Sequence, residues 1–201
     1  LAETWAEAVQ SREPDNGLVH ANRAYWEMER GELQRADAEV KQALTFAPGT
    51  QTALDAATAL ALARGRYDEA RGLIERLSGG RSIEYAYLVT PAYLEWKTGS
   101  RATAESLLGE AERRSLAMVA EAPEDVEGYM DMTRIESIRG NPDEAMSWME
   151  KAYERGARFG AYYRFDPRLE YLRGDPRFKR LTERMLEDVT TMRGQAPQEE
   201  P

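Results

Sequence analysis

The feature that most constrains this chain is a glycine followed five residues later by an alanine. The pair occurs four times, as Gly31–Ala36, Gly65–Ala70, Gly99–Ala104 and Gly140–Ala145. The first three glycines are 34 residues apart, and the fourth follows the third after 41 residues, which is one period plus seven. A fixed period of this length is typical of repeat proteins, in which each unit is one small supersecondary element.

Each copy has the pattern of two helices joined by a turn. An apolar-periodic run of about 14 residues leads to each glycine, which can adopt the left-handed conformation that closes a helix. Seven positions before the glycines stand the small residues Ala24, Thr58, Ala92 and Thr133, and five positions before them stand the large residues Trp26, Leu60, Leu94 and Ile135. Second helices begin near Leu33, Tyr67, Arg101 and Pro142. A single hairpin cannot bury its apolar face, so we expect the copies to stack.

These residues resemble the tetratricopeptide repeat. The period, the small residue before the glycine, the glycine itself, the alanine after it and Pro48 all match that family's pattern. The copies are degenerate, since Arg23 and Pro91 stand where the family favours leucine. The resemblance implies an all-α fold, a right-handed superhelix of antiparallel helical hairpins closed by a C-terminal capping helix.

The phase of the glycines predicts the boundaries of one array over residues 1–192. The predicted units are an orphan helix of a truncated repeat (1–16), repeat one (17–50), repeat two (51–84), repeat three with an extended second helix (85–125), repeat four (126–160), a C-terminal cap (161–192) and a disordered tail (193–201). The orphan helix, residues 2–11, reads as the second half of a hairpin, which favours a piece of a longer chain with more repeats or another domain upstream.

Two irregularities interrupt the period. Pro91 falls inside a predicted helix, and we favour a kink there because Tyr85, Leu88 and Ala92 keep helical spacing; the alternative is a helix that starts with Thr90 as N-cap. The seven additional residues before repeat four amount to two helical turns. We place them in a long second helix from residue 102 to about residue 120.

The tail contains two Asp-Pro pairs. Asp166 and Asp175 each read as an N-cap followed by proline in the first helical turn. The second pair opens a final helix to about Met192, with Phe178 and Met185 on its apolar face. The stretch from Ala152 to Met185 resembles the C-terminal end of bacterial regulators in which repeats follow a winged-helix, cyclase or kinase domain, and the resemblance implies a regulatory region.

The composition excludes several kinds of active site. There is no cysteine, so disulfides, thiolate metal sites and cysteine nucleophiles are excluded. His20 is the single histidine, and no Gly-x-Ser-x-Gly turn accompanies it. We therefore expect a structural role for His20 and predict that the chain is not an enzyme and binds neither metal nor cofactor.

The charge of the chain limits its partners. The net charge is −9, from 27 basic and 36 acidic side chains, which disfavours a nucleic-acid binder. No stretch approaches the roughly 20 apolar residues of a membrane span. We expect a protein or peptide partner, with a homodimer as a further option. The cytoplasm is favoured, although the lack of cysteine is equally compatible with the periplasm.

The family pattern places the first helix of each hairpin on the concave side. The predicted partner-binding residues are Asn22, Tyr25, Met28, Asp55, Leu62, Val89, Tyr93, Trp96, Lys97, Met130 and Arg134. Apolar surface with a few polar groups suits a helix or an extended peptide. Two alternatives stay open, an exposed groove or one covered by the chain itself. We predict no clamp for acidic C-termini, because Asp55 and Asp131 would repel a carboxylate.

Three functional hypotheses follow. The primary one is a regulatory interaction module that binds a peptide or domain in the groove. The second is a small-ligand sensor that uses an aromatic pocket near Tyr25, Tyr93 and Trp96, and the third is a homo-oligomerisation module.

Residues 155–184 also hold nine basic and four acidic side chains. We favour solvated local ion pairs for that stretch over a patch for an acidic partner.

Overall fold

Helices joined by short turns make up the residues that the computed structural model describes, which are 14–78, 88–158 and 160–195. The helices are α1 Gly17–Glu29, α2 Leu33–Phe46, α3 Gln51–Ala63, α4 Tyr67–Ser78, α5 Val89–Thr98, α6 Arg101–Glu121, α7 Val126–Arg139, α8 Pro142–Glu154, α9 Gly160–Phe165, a 3-10 helix Pro167–Leu172 and α10 Pro176–Gln195. Four successive pairs form hairpins, from α1/α2 to α7/α8, and the predicted all-α fold is confirmed.

The turn glycines follow the predicted chemistry in three of the four hairpins. Gly31, Gly65 and Gly140 have φ angles of +77°, +67° and +82°, the left-handed conformation in which glycine avoids the strain of a side chain. Gly99 differs, since its φ is −129°. A Cβ at this position would meet the Glu95 carboxylate, but that group ends a flexible side chain and can move aside, so neither the backbone angle nor the space requires glycine here.

The small residues of the period lie where helices approach closely. Ala36, Ala70, Ala104 and Ala145 all have zero exposure. The first helices of neighbouring hairpins also contact each other, α1 with α3 and α5 with α7. The hairpins therefore stack so that each one covers the apolar face of the next.

The two predicted irregularities have different outcomes. The structure shows α5 beginning at Val89, so Pro91 lies in its first turn, where the missing N–H costs no helical hydrogen bond. The favoured kink is therefore not found in the described part of this helix, and Tyr85 lies outside the described residues. The long second helix is present, since α6 has 21 residues against 14 in α2.

The C-terminal segments start at the two Asp-Pro pairs. Asp166 caps the 3-10 helix with Pro167 in its first turn, and α10 begins at Pro176. Helix α10 runs to Gln195, three residues past the predicted end at Met192, so the tail predicted to be disordered is helical at its first residues. The predicted orphan helix and residues 196–201 lie outside the described residues.

Helix α7 is the centre of the C-terminal half. Every residue from Gly128 to Ile138 is buried, because α5, α6, α8 and the 3-10 helix all pack against α7. Helix α9 in turn contacts α1, so the chain returns from its C-terminal end to its first helix. Among the described helices, none is long and apolar enough to cross a membrane.

Candidate binding groove

The surface predicted to bind a partner is mostly covered. Five of its residues are at most 4% exposed: Met28, Leu62, Val89, Tyr93 and Met130. Arg134 is also buried, while Asn22, Tyr25, Asp55, Trp96 and Lys97 keep part of their surface. The sequence left open whether the inner face of the array is exposed or covered. The five covered side chains are part of the hydrophobic core.

The cover is the chain itself, through residues 160–172, named here the return segment. The ring of Tyr162 meets Tyr25 of α1 edge-on, with the ring centroids 5.9 Å apart. Arg168 donates from Nη1 to the Thr90 hydroxyl at 2.9 Å, and Lys97 pairs with Glu170. Of the two alternatives left by the sequence, the covered groove therefore holds where the return segment crosses α5 and α7.

A buried ion cluster holds the return segment in place. Asp166, whose side chain has zero exposure, accepts from Arg168 Nε at 2.8 Å and from Arg134 Nε at 3.1 Å. Arg134 Nη1 also donates to Asp131 at 2.9 Å and to Glu127 at 3.1 Å. Both guanidinium groups are thus neutralised by carboxylates of the same cluster, which is the condition for keeping a charge inside a protein.

The cluster shifts the pKa values of its members in opposite directions. Burial alone would raise the pKa of Asp166, but the positive charges of Arg168 and Arg134 outweigh burial and lower that pKa to about 2. Burial raises the pKa of Asp131, because Arg134 only partly offsets it and Glu127 adds repulsion. Burial opposes the charge of Arg134, yet its carboxylate neighbours raise the Arg134 pKa. Asp166 and both arginines are therefore ionised at neutral pH.

Two neighbouring spaces with several lining residues in common lie between the return segment and the inner faces of the hairpins. The deeper one, named the inner cavity, has a volume of about 220 Å³, and its lining includes Tyr25, Asp55, Asp131, Arg134 and Asp166. The more open one, named the outer cleft, has a volume of about 450 Å³. Its lining is Asn22, Tyr25, Trp26, Glu29, Glu127, Arg134, Tyr162 and Tyr163. Three predicted groove residues thus border the outer cleft: Asn22, Tyr25 and Arg134.

Comparisons with known proteins identify the fold of this chain. No protein-family model matches the sequence, and no curated protein matches it either. The structure is similar to a solved tetratricopeptide repeat protein from Parabacteroides merdae, at a TM-score of 0.50 and 19% identity over 96% of this chain and 71% of that one. The chain has the tetratricopeptide repeat fold. A second solved structure, YrrB, a tetratricopeptide protein with an unusual peptide-binding site, gives a TM-score of 0.43 at 15% identity, covering 92% of this chain and 94% of that one. At that level of similarity nothing about its site transfers.

Within the tetratricopeptide fold the expected aromatic pocket is not assembled. Tyr25 faces Tyr162, whereas Tyr93 packs edge-on against Tyr67 with the centroids 6.2 Å apart. Trp96 lies beneath the guanidinium of Arg101. The three aromatic residues singled out from the sequence therefore occupy separate environments, and Tyr25 is the one of them that lines the inner cavity and the outer cleft.

The cations of the predicted groove are already paired within the tetratricopeptide array. Lys97 pairs with Glu170, and Arg134 meets three carboxylates. A carboxylate ligand would have to compete with these internal pairs. The absence of an acidic-terminus clamp stays a prediction, and the pairing is a second reason for it beside the repulsion by Asp55 and Asp131.

The basic C-terminal stretch is engaged in local pairs. Arg158 lies 3.0 Å from Asp188, and Arg177 lies 2.7 Å from Asp143. These side chains are partly exposed, so each of these two pairs contributes little to stability. The favoured interpretation of solvated ion pairs fits them, whereas Arg168 and Asp166 of the same stretch belong to the buried ion cluster.

His20 has the structural environment that the sequence suggested. Its Nδ1 lies 2.7 Å from Glu39, its Nε2 lies 3.0 Å from the carbonyl oxygen of Pro14, and its ring stacks on Phe46. Both ring nitrogens are occupied, away from the inner cavity.

Sequence reasoning missed the return segment as part of the groove. Asp166 was interpreted only as an N-cap, although it also binds Arg134 and Arg168. A signal was available, because Arg168 follows Asp166 by two residues and Arg134 had no assigned partner among the groove residues. The sequence pattern did not indicate that the C-terminal tail folds back against the inner face of the array.

Proposed function

We propose that this chain is a non-catalytic interaction module that binds a segment of a partner protein in the outer cleft. The observation that carries the proposal is that the outer cleft stays open while the return segment covers much of the rest of the predicted groove. Its volume of about 450 Å³ lies within the roughly 300–1,000 Å³ of ordinary ligand sites. The inner cavity, at about 220 Å³, lies below that range and suits a single side chain.

The composition of the outer cleft supports protein recognition. Tyr25, Trp26, Tyr162 and Tyr163 all line it. Tyrosine and tryptophan are the side chains over-represented at the energetic centres of protein interfaces, because they offer large, rigid surfaces with a polar edge. The tetratricopeptide resemblance points to the same inner face.

Two features of the described residues favour a non-catalytic role. Arg134 and Arg168 hold their charges through the buried carboxylates of the ion cluster, so these groups stabilise one another. The histidine is bonded to Glu39 and the Pro14 carbonyl outside the outer cleft. The small-ligand sensor has less support, because Tyr25, Tyr93 and Trp96 do not form one pocket.

Display selection followed by calorimetry tests this function. Random 12-residue peptides are selected on the immobilised protein, and their affinities are measured for wild type, Tyr25→Ala and Tyr171→Ala. Tyr171 is a matched control, since it is an exposed tyrosine of the 3-10 helix that does not line the outer cleft. We expect Tyr25→Ala to weaken binding about tenfold or more and Tyr171→Ala to leave it unchanged.

The proposal is overturned if no selected peptide depends on Tyr25. Two further measurements address the other hypotheses. Calorimetric screening of small molecules would support the sensor if a free compound, and no peptide, bound in a Tyr25-dependent way. Sedimentation at high micromolar concentration would support the oligomerisation module if the protein were dimeric and the selected peptides did not compete with the dimer.

A further inference from the structure

The inner cavity has a lining that selects one kind of partner side chain. We propose that it receives an arginine or lysine side chain of a basic peptide whose main chain lies in the outer cleft. The inference rests on the proposed function, which supplies the peptide, and adds the chemistry by which the peptide is recognised.

The charges around the inner cavity favour a cation. Among the described residues, its lining contains five carboxylates and two guanidinium groups: Glu29, Asp55, Glu127, Asp131 and Asp166 against Arg134 and Arg168. The two guanidinium groups are bound to carboxylates of the ion cluster. The described lining therefore has more acidic than basic groups, and the net charge of −9 on the whole chain attracts a basic segment over a longer range.

The main chain also makes the electrostatic potential in the inner cavity more negative. Helix α1 ends at Glu29 and helix α3 ends at Ala63, and the last residues of both helices line the inner cavity. The C-terminal end of a helix has a partial negative charge from its unpaired carbonyl groups, which stabilises a nearby cation. Two helix C-termini, each with a partial negative charge, thus border the inner cavity in addition to the acidic side chains.

Aromatic rings complete the lining. Tyr25, Tyr162 and Phe165 border the inner cavity. A cation within about 6 Å of the centre of an aromatic ring is attracted by the negative face of the ring. Apolar side chains, among them Met28, Leu62 and Ile74, line the same space and suit the aliphatic stem that arginine and lysine bury behind their charged ends.

The size of the inner cavity favours a side chain of a peptide over a free small molecule. At about 220 Å³ it lies below the range of whole-ligand sites, whereas the adjoining outer cleft lies within that range. The inner cavity and the outer cleft share Tyr25, Glu29, Glu127, Arg134 and Tyr162. The two spaces are therefore adjacent, and the proposal places the main chain in the outer cleft with one side chain directed past these shared residues into the inner cavity.

Fluorescence anisotropy with three labelled 12-residue peptides tests the inference: (Gly-Ser-Arg)₄, the same peptide with citrulline for arginine, and the same peptide with glutamate for arginine. Citrulline has nearly the shape of arginine without its charge. We expect the arginine peptide to bind at least tenfold more tightly than the citrulline peptide and the glutamate peptide to bind least. N-acetyl-arginine amide tests the free cation, and we expect it to compete at least a hundredfold less effectively than the arginine peptide.

Charge-matched variants separate the inner cavity from general electrostatic attraction. Asp55→Asn removes one negative charge from the inner cavity, and Glu150→Gln removes one from the exposed face of α8. We expect Asp55→Asn to weaken the arginine peptide about tenfold, with little effect on the citrulline peptide, and Glu150→Gln to change neither. Tyr25→Leu keeps apolar bulk without the ring and should also weaken the arginine peptide several-fold. Circular dichroism verifies that each variant is folded.

Three results would overturn the inference: equal binding of the arginine and citrulline peptides, equal effects of Asp55→Asn and Glu150→Gln, or a free arginine amide that competes as well as the peptide. The proposed function fails separately. If display selection yields Tyr25-dependent peptides that are neutral or acidic, the outer cleft is a peptide site and only the basic specificity is wrong. If no selected peptide depends on Tyr25, both are wrong.

Discussion

The most direct test of the structure is the replacement of Asp166 by asparagine. Asparagine keeps the size of the side chain and remains a good N-cap, so the change removes the charge and little else. The chain also offers a matched control. Asp175 begins the second Asp-Pro-Arg sequence and binds its own Arg177 at 2.6 Å, but that pair lies at the surface of the protein.

The structure sets the size of the expected effect. The pKa of Asp166 falls from 3.8 to about 2 on folding, and at about 1.4 kcal/mol per pKa unit this corresponds to about 2–3 kcal/mol of stability at neutral pH. Removing one partner of a buried ion pair costs about 3–5 kcal/mol in other proteins. We therefore expect Asp166→Asn to lower the free energy of unfolding by about 3 kcal/mol. Asp175→Asn should lower it by less than about 1 kcal/mol, because its pair is partly exposed.

Urea unfolding followed by circular dichroism at several pH values measures both effects. The pKa of Asp166 is lower in the folded than in the unfolded chain, so its contribution is complete above about pH 5 and is lost as the pH falls toward 2. The difference in unfolding free energy between wild type and Asp166→Asn should therefore be constant between pH 5 and 7. At pH 3 about half of the part due to the pKa shift should remain.

Two outcomes would contradict the buried ion cluster. One is an Asp166→Asn effect within about 0.5 kcal/mol of the Asp175→Asn effect, which would mean that Asp166 is no more deeply buried in solution than Asp175. The other is a difference that does not shrink between pH 5 and pH 3, which would mean that the charge of Asp166 is not what stabilises the return segment.

Two further predictions concern the packing of the same segment. Gly160→Ala should destabilise the protein by about 1–3 kcal/mol, because a Cβ there would collide with the Thr182 carbonyl. Gly109→Ala should stabilise it by about 0.5–1 kcal/mol, because Gly109 lies inside a helix and a Cβ there would meet no atom within 4 Å beyond the backbone of its own helix. Thermal melts of both variants compare the two effects. A double-mutant cycle of Lys97→Ala and Glu170→Ala should give a coupling free energy below about 1 kcal/mol that decreases with added salt, because both side chains are partly exposed. A larger coupling free energy that does not depend on salt would show that this pair is buried.

Most of the fold followed from local chemistry. The turn glycines at 31, 65 and 140 and the prolines at 142, 167 and 176 mark helix ends through their own backbone preferences, which do not depend on the rest of the chain. Pro91 shows where such reasoning is ambiguous. The same residue is compatible with a kink or with a first turn, and only the start of α5 at Val89 decides between them.

The binding surface was predicted less well because its state depends on contacts between distant residues. Asp166 and Arg134 are 32 positions apart, and Arg168 and Thr90 are 78 positions apart. A helical period predicts which residues face the inner side of the array, and of these Met28 and Arg134 line the inner cavity. It contains no information about what lies against that side, so the covered groove could be stated only as one of two alternatives.

The buried ion cluster also explains why the open part of the groove has a definite shape. An apolar contact between the return segment and α7 would tolerate small shifts, whereas Arg168 must meet Asp166 and Thr90 at the same time. Asp166 follows Tyr162 by four residues, and its main-chain N–H donates to the Tyr162 carbonyl at 3.1 Å. The position of the cluster therefore sets the position of Tyr162 opposite Tyr25, and with it the wall of both the inner cavity and the outer cleft. Loss of the cluster should consequently weaken peptide binding even in a variant that remains folded.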